Sequence, residues 1–264
     1  MVTTKFIGRL GNSMFQIAAA IGYARKYGYE WGVPDDARES SIHRVYPNLP
    51  RCNNRYQRYE EHLNEHCHIH NRHKDLCHFD FHDIPNIGDN VMLFGFFQSW
   101  KYFEHCKDEV KDVFKLKHIP GYEDYVSIHV RRGDYVQHSG SFPPIDLNYL
   151  KIATEHFSNI GFNNFIVFSD DIKWCKDNFH CIDGIRGYSE SRTELQDLEL
   201  MASCGHHIIA NSTFSWWGAY LGHNPDKIVI SPSHTRGNWF GLESGVKQDC
   251  VDLIPNEWIQ IKFR

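Results

Sequence analysis

The sequence predicts an α/β protein whose second half carries a parallel sheet covered by helices. Three observations lead there. From residue 125 onward, short apolar strand-like runs alternate with stretches of helical periodicity, which is the rhythm of β-α-β units and not of hairpins. Within that half, Val126, Ile128 and Val130 alternate with Ser127 and His129, and the strand then breaks into Arg131, Arg132, Gly133, Asp134 and Tyr135. The amino-terminal region repeats the theme as strand, glycine loop and helix.

Taken in order, residues 3–7 read as a short strand, Gly8-Arg9-Leu10-Gly11-Asn12 as a loop, and 13–26 as an apolar-periodic helix. Residues 29–33 form a second strand that Pro34 ends. Over 35–90 the periodicity fades and irregular structure is expected. His62, His66, Cys67, His68, His70, His73, Cys77, His78 and His82 form a tract within it. His62 and His66 would share a helical face, yet the tract lacks two ligand pairs at finger-like spacing, so no metal site is expected. Residues 91–96 return to a strand and 102–115 to a helix, after which Pro120 and Gly121 mark a boundary between parts 1–119 and 120–264. Beyond the strand at 126–130 come a helix over 147–157 and a strand over 164–168 that ends in Ser169-Asp170-Asp171. A helix over 172–179 and a longer one over 192–204, with Leu195, Leu198 and Met201 on one face, lead to a strand over 207–210. Asn211-Ser212-Thr213 open a helix through Phe214, Trp216, Trp217 and Tyr220, and a strand over 227–230 follows.

A formal charge of -5 supplies no general attraction to nucleic acid, so no nucleic-acid partner is expected and any anionic ligand must be held by a local basic site. The first residues enter a strand pattern without a basic start, apolar run and cleavage site, and the apolar runs near 17–21 and 92–97 are too short to span a bilayer. The expected location is cytoplasmic. Eight cysteines without a C-x-x-C pair read as reduced, mostly buried thiols.

The chemistry gathers at strand ends. In an open α/β sheet, ligands collect at the carboxyl ends of the strands, and paired arginines there suit a diphosphate through forked, charge-assisted hydrogen bonds. Gly133 is expected to let the backbone turn sharply and leave Asp134 beside the anion site; a surface Arg-Asp pair is the plainer reading. The glycines at 8 and 11 allow close approach of a ligand to the backbone, or simply join strand to helix. Asn211, Ser212 and Thr213 are helix-capping types that can equally donate to phosphate. The carboxylates of Asp170 and Asp171 could accept from a ribose or a base edge, or cap the next helix. Asp197 lies in an amphipathic helix, where solvent exposure is the plain expectation.

Four blocks in order, Gly8-Arg9-Leu10-Gly11-Asn12 with Met14-Phe15-Gln16, His129 to Tyr135, Phe168 to Asp171, and Asn211 to Gly218, resemble the α-1,2-fucosyltransferase family of the glycosyltransferase family 11 type. The resemblance implies a GT-B type fold of two Rossmann-like lobes facing a central cleft, with 1–119 on the acceptor side and 120–264 binding the donor. It implies GDP-β-L-fucose as donor substrate, a galactose-containing glycan acceptor, inversion at the anomeric carbon, and no cofactor or required metal. By the same match Arg131 and Arg132 grip the diphosphate, His129 lies beside the guanosine, Ser212 and Thr213 lie near the β-phosphate with Asn211 in the same block, and Asp197 contacts guanine or ribose; Asp170 is placed on the donor side by its strand end. Asp134 is the candidate base, and Asn12, in the loop with Gly8, Arg9 and Gly11, steers acceptor or fucose. Ser13 stands where the family commonly has glutamine, and the chain lacks the anchor and stem of animal members, which suggests a microbial or viral enzyme acting inside the cell. Three rivals stay open: transfer of the same sugar to another position or to a protein hydroxyl, a non-catalytic GDP-sugar binder, and a zinc-binding module on the histidine tract.

Overall fold

The structure, a computed structural model, describes residues 1–34, 41–52, 81–191, 193–246 and 249–263. It divides into two compact units, Met1–Lys115 with Val246–Pro255, and Leu116–Gly245 with Asn256–Arg264. The histidine tract lies outside the described residues except for His82, whose backbone N–H donates to Tyr102 Oη at 3.3 Å. Among the described residues no group of three or more metal-ligating side chains converges.

In the first unit, β1 (Val2–Thr4) pairs in parallel with β4 (Val91–Leu93), and β2 (Val33–Pro34) pairs in parallel with β3 (Arg51–Cys52). A bridge between Val2 and Trp31 joins the two pairs. Helix α1 (Leu10–Tyr27) is longer than the periodicity predicts: it begins inside the glycine loop and ends at Gly28, whose φ of 74° supplies the left-handed cap. Its 10–24 stretch is buried almost continuously, from Leu10 and Met14 to Ala24. The expected helix over 102–115 is two short 3-10 turns followed by α3 (Lys107–Val113), and a one-turn helix α2 (Ser41–Val45) lies between β2 and β3. The sequence reading kept 120–264 together, but Val246–Pro255 packs with the first unit. There Asp252 pairs with Lys101 at 2.5 Å and accepts from the Phe81 N–H at 2.9 Å, contacts that no local pattern announces.

The second unit is one parallel sheet of six strands. In chain order they are β5 (Val126–Val130), β6 (Phe165–Ser169), β7 (Ile185–Tyr188), β8 (His206–Ile208), β9 (Val229–Pro232) and β10 (Ile259–Ile261). The spatial order is β10-β9-β8-β5-β6-β7. The chain thus builds outward from β5 in one direction, then returns to its other side and builds outward again, the doubly wound order whose reversal lies between β5 and β8. Between them run α4 (Gly133–Gln137), α5 (Leu147–Asn159), α6 (Ile172–Asn178), α7 (Glu194–Ser203) and α8 (Thr213–Tyr220). Val126, Ile128 and Val130 meet Tyr149, Ala153 and Phe157 of α5 in the main core, whereas Ile166 and Phe168 meet Met201 of α7 on the opposite face. A parallel strand buried on both faces explains why all five residues of β5, Ser127 and His129 included, are buried despite their alternating sequence. Trp216 and Trp217 are fully buried core residues.

Candidate active site at the sheet reversal

Strand β5 ends at Val130 because the charge that follows it cannot stay in a core. Arg131 and Arg132 therefore emerge at its carboxyl end, on one side of the reversal. Strand β8 ends on the other side and leads through Ile209 and Ala210 into Asn211, Ser212 and Thr213. Tyr135 ties the two segments, its hydroxyl donating to the Asn211 carbonyl at 2.9 Å. Strand β6 is paired with β5 in register, Val130 opposite Ser169, so Asp170 and Asp171 leave the sheet beside the arginines.

The arginines are held, not loose. Arg131 Nη2 donates to Asp134 Oδ1 at 2.6 Å, Nη1 lies 2.8 Å from Asp170 Oδ2, and only 15% of the side chain is exposed. The Arg132 guanidinium carbon lies 3.6 Å from the centroid of the Trp174 ring, while Nε pairs with Asp171 Oδ2 at 3.4 Å. A planar cation stacked on an aromatic face keeps its edge donors directed outward. Asp171, and not Asp170, caps the following helix, accepting from the Trp174 N–H at 3.1 Å.

His129 is buried beneath this rim, its ring 5.6 Å from that of Phe214. Burial, and then the Arg131 charge, lower its pKa from 6.5 to about 3, so the imidazole is neutral at physiological pH. Its Nδ1 finds no hydrogen-bond partner among the described residues. Asp197 is not a solvent-facing residue: Ser189 Oγ donates to it at 2.5 Å from just beyond β7, and burial raises its pKa while Ser189 and Ser191 oppose the rise.

The Asn211 block divides in function. The Asn211 side-chain amide donates to the carbonyls of Pro143 at 3.0 Å and Trp239 at 2.9 Å, so it braces two loops. Ser212 is the N-cap of α8, yet its side chain makes no capping bond. The hydroxyl the sequence offered as a cap is therefore not spent on the helix. Thr213 begins the helix and is partly exposed beside it.

In the first unit the glycine loop forms its own constellation. Gly8 has φ +84°, and a Cβ there would fall 2.2 Å from Asn12 Nδ2, so only glycine fits beside that amide. Gln98 Nε2 donates to Asn12 Oδ1 at 3.1 Å. Gln16 is fully buried and anchors the loop, exchanging bonds with both the N–H and the carbonyl of Ile7 at 3.2 Å and donating to the Gly95 carbonyl at 3.0 Å. Arg9 precedes α1 as its N-cap residue and Gly11 lies inside the first turn. Trp174, Tyr135 and Ser189 were missed as supports, since each meets its partner only through the fold; Asp171 was legible as a helix cap but not as a partner of Arg132.

Comparison with known proteins identifies the family and the fold type. The model of glycosyl transferase family 11 matches residues 1–259. An Escherichia coli α-1,2-colitosyltransferase is 32% identical over 194 residues, covering 66% of this chain and 63% of that protein. The O-antigen biosynthesis glycosyltransferase WbnK of Escherichia coli is 30% identical over 196 residues, covering 66% of this chain and 62% of its own length. The chain thus spans under two thirds of these two relatives. Galactoside α-(1,2)-fucosyltransferase 2 of Hylobates lar is 28% identical over 251 residues, covering 84% of this chain and 69% of that protein. Among solved structures, the α-1,6-fucosyltransferase NodZ soaked with GDP-fucose superposes with a TM-score of 0.50 at 13% identity, covering 87% of this chain and 94% of that one. At that identity the likeness speaks for the fold, which is of the GT-B type. Among the described residues no helix is long and apolar enough to cross a membrane. The four sequence blocks and the family match over nearly the whole length lead to one statement: the chain belongs to glycosyl transferase family 11.

Proposed function

We propose that the chain transfers L-fucose from GDP-β-L-fucose to a sugar hydroxyl, the 2-hydroxyl of a galactoside, with inversion. The observation that carries the reading is the placement of Arg131-Arg132 and Asn211-Ser212-Thr213 on the two sides of the sheet reversal, where a doubly wound sheet receives nucleotides. In this reading the second unit binds the donor and the first takes the acceptor, with Asn12, Gly8, Arg9 and Gly11 steering it. The acceptor oxygen forms a bond to the anomeric carbon as the bond to the β-phosphate oxygen breaks, and GDP leaves with the electron pair. Negative charge grows on the diphosphate, and preorganised guanidinium and helix N–H donors stabilise it without a divalent metal. The hydroxyl proton passes to Asp134, which Arg131 orients. His129 and Asp197 face the nucleoside, with Ser212 and Thr213 at the β-phosphate.

A second reading keeps the reaction and changes the sugar, since one relative is a colitosyltransferase. Both are tested by measuring GDP release from the two nucleotide sugars with EDTA present over a panel of galactosides, reading product linkage by NMR. Galactose-dependent release from GDP-fucose and an α-1,2 product support the first reading. GDP binding without acceptor-dependent release would leave a GDP-sugar binder, and EDTA sensitivity would remove the metal-independent mechanism.

A further inference from the structure

Asp170 has no spare role as a helix cap, and both of its oxygens are directed at the arginine pair. Oδ1 accepts from the backbone N–H of Arg132 at 2.8 Å, and Oδ2 lies 2.8 Å from Arg131 Nη1. The carboxylate occupies the space a side chain on residue 133 would need: a Cβ on Gly133 would fall 2.4 Å from Asp170 Oδ2, closer than real contacts allow. Gly133 is not among the positive-φ glycines and begins a helical turn, so its backbone could carry any residue. The expectation that it serves a sharp turn is corrected accordingly. What demands glycine here is room for a carboxylate delivered from the neighbouring strand.

We infer that Asp170 is a positioning residue that fixes the direction of the Arg131 guanidinium and the Arg132 backbone, and that position 133 is glycine to admit it. This rests on the reading that the arginines hold a diphosphate, and it replaces a direct contact of Asp170 with ribose or base. A guanidinium held by Asp170 at Nη1 presents its remaining donors in one orientation, so less freedom is lost when a diphosphate binds.

The test is a double-mutant cycle on the full chain, with Gly133→Ala, Asp170→Ala and the pair together. GDP, 2′-deoxy-GDP and inosine diphosphate are titrated by calorimetry, and urea unfolding is followed without nucleotide. Each single substitution is expected to weaken GDP binding roughly tenfold, the scale of one charged hydrogen bond. The double variant is expected to be no weaker than Asp170→Ala, and the preference for GDP over both analogues is expected to stay unchanged. Additive losses would separate Gly133 from Asp170, and a collapsed preference in Asp170→Ala would mean direct contact with the nucleoside; either overturns the inference. If the parent chain binds no GDP, the donor reading fails, and the unfolding data decide the steric coupling alone: non-additive losses support it and additive losses overturn it.

Discussion

At the scale of single residues, Arg131 is the side chain on which the proposed chemistry turns. Its two ends face separate carboxylates, a geometry that a lysine ammonium cannot reproduce. Arg131→Ala is expected to lower turnover at least a hundredfold, on the order of 3 kcal/mol of transition-state stabilisation, and Arg131→Lys to restore little of it; initial rates of GDP release read both. Asp134→Asn is expected to reduce turnover while GDP affinity is retained. A calorimetric loss of GDP binding in that variant would make Asp134 an orienting group for Arg131 instead of the base. The placement of the arginine pair was legible in the sequence because a charged pair following an alternating strand has only one place to go. Trp174 was not, because it lies 42 positions beyond Arg132 (174 − 132) and reaches it through the turn after β6.

At the scale of elements, α5 is fastened to the sheet beside β8 and β9 by one buried phenol. Tyr149 Oη lies 2.7 Å from the Ile209 carbonyl and 3.3 Å from the Ile230 carbonyl, just past β8 and within β9, and burial raises its pKa well above the ordinary value. Tyr149→Phe keeps the ring and removes the donor, and is expected to cost about 1 to 3 kcal/mol of stability, measured as a lowered urea midpoint with unchanged slope. Helices α1, α5 and α8 were legible in outline from their apolar spacing and caps. Strands β7 and β10 were not expected: Ile185-Arg186-Gly187-Tyr188 and Ile259-Gln260-Ile261 are short outer strands whose pairing with β6 and β9 comes from tertiary packing and not from local propensity. The 3-10 turn at Glu104–Cys106 was read as helix because i and i+3 spacing serves both, and the one at Trp100–Tyr102 was not expected.

For the whole molecule, two fully buried imidazoles set a direction for pH dependence. Burial depresses His129 and His207 from 6.5 to about 3, with His206 and His223 lowered in the same sense. Between these values the unfolded chain binds protons that the folded chain refuses. Stability should therefore fall as pH drops below about 6.5 and continue to fall toward about 3, by up to roughly 1.4 kcal/mol per pH unit for each such histidine. Asp197, raised by burial, acts in the opposite sense. Urea midpoints at pH 7.5 and 5.0 check the net effect, and equal midpoints would contradict it. The carboxyl-terminal stretch serves both units: Val246–Pro255 belongs to the first, while Asn256–Arg264 returns to the second and supplies β10. Truncation after Gly245 is expected to destabilise both units, seen as two lowered transitions or loss of cooperative unfolding by circular dichroism.

The sequence by itself determined the α/β class, the placement of Arg131, Arg132, Asn211, Ser212 and Thr213 at strand ends, and the family resemblance, because periodicity, breakers and charge act over a few neighbouring residues. It could not determine that Asn211 braces loops, that Asp197 is shielded by serines, or that Gly133 yields its space to Asp170. Those depend on which strands lie side by side: the register of β5 against β6 brings residue 170 to residue 131, and only that pairing sets the Asp170 carboxylate against a missing Cβ.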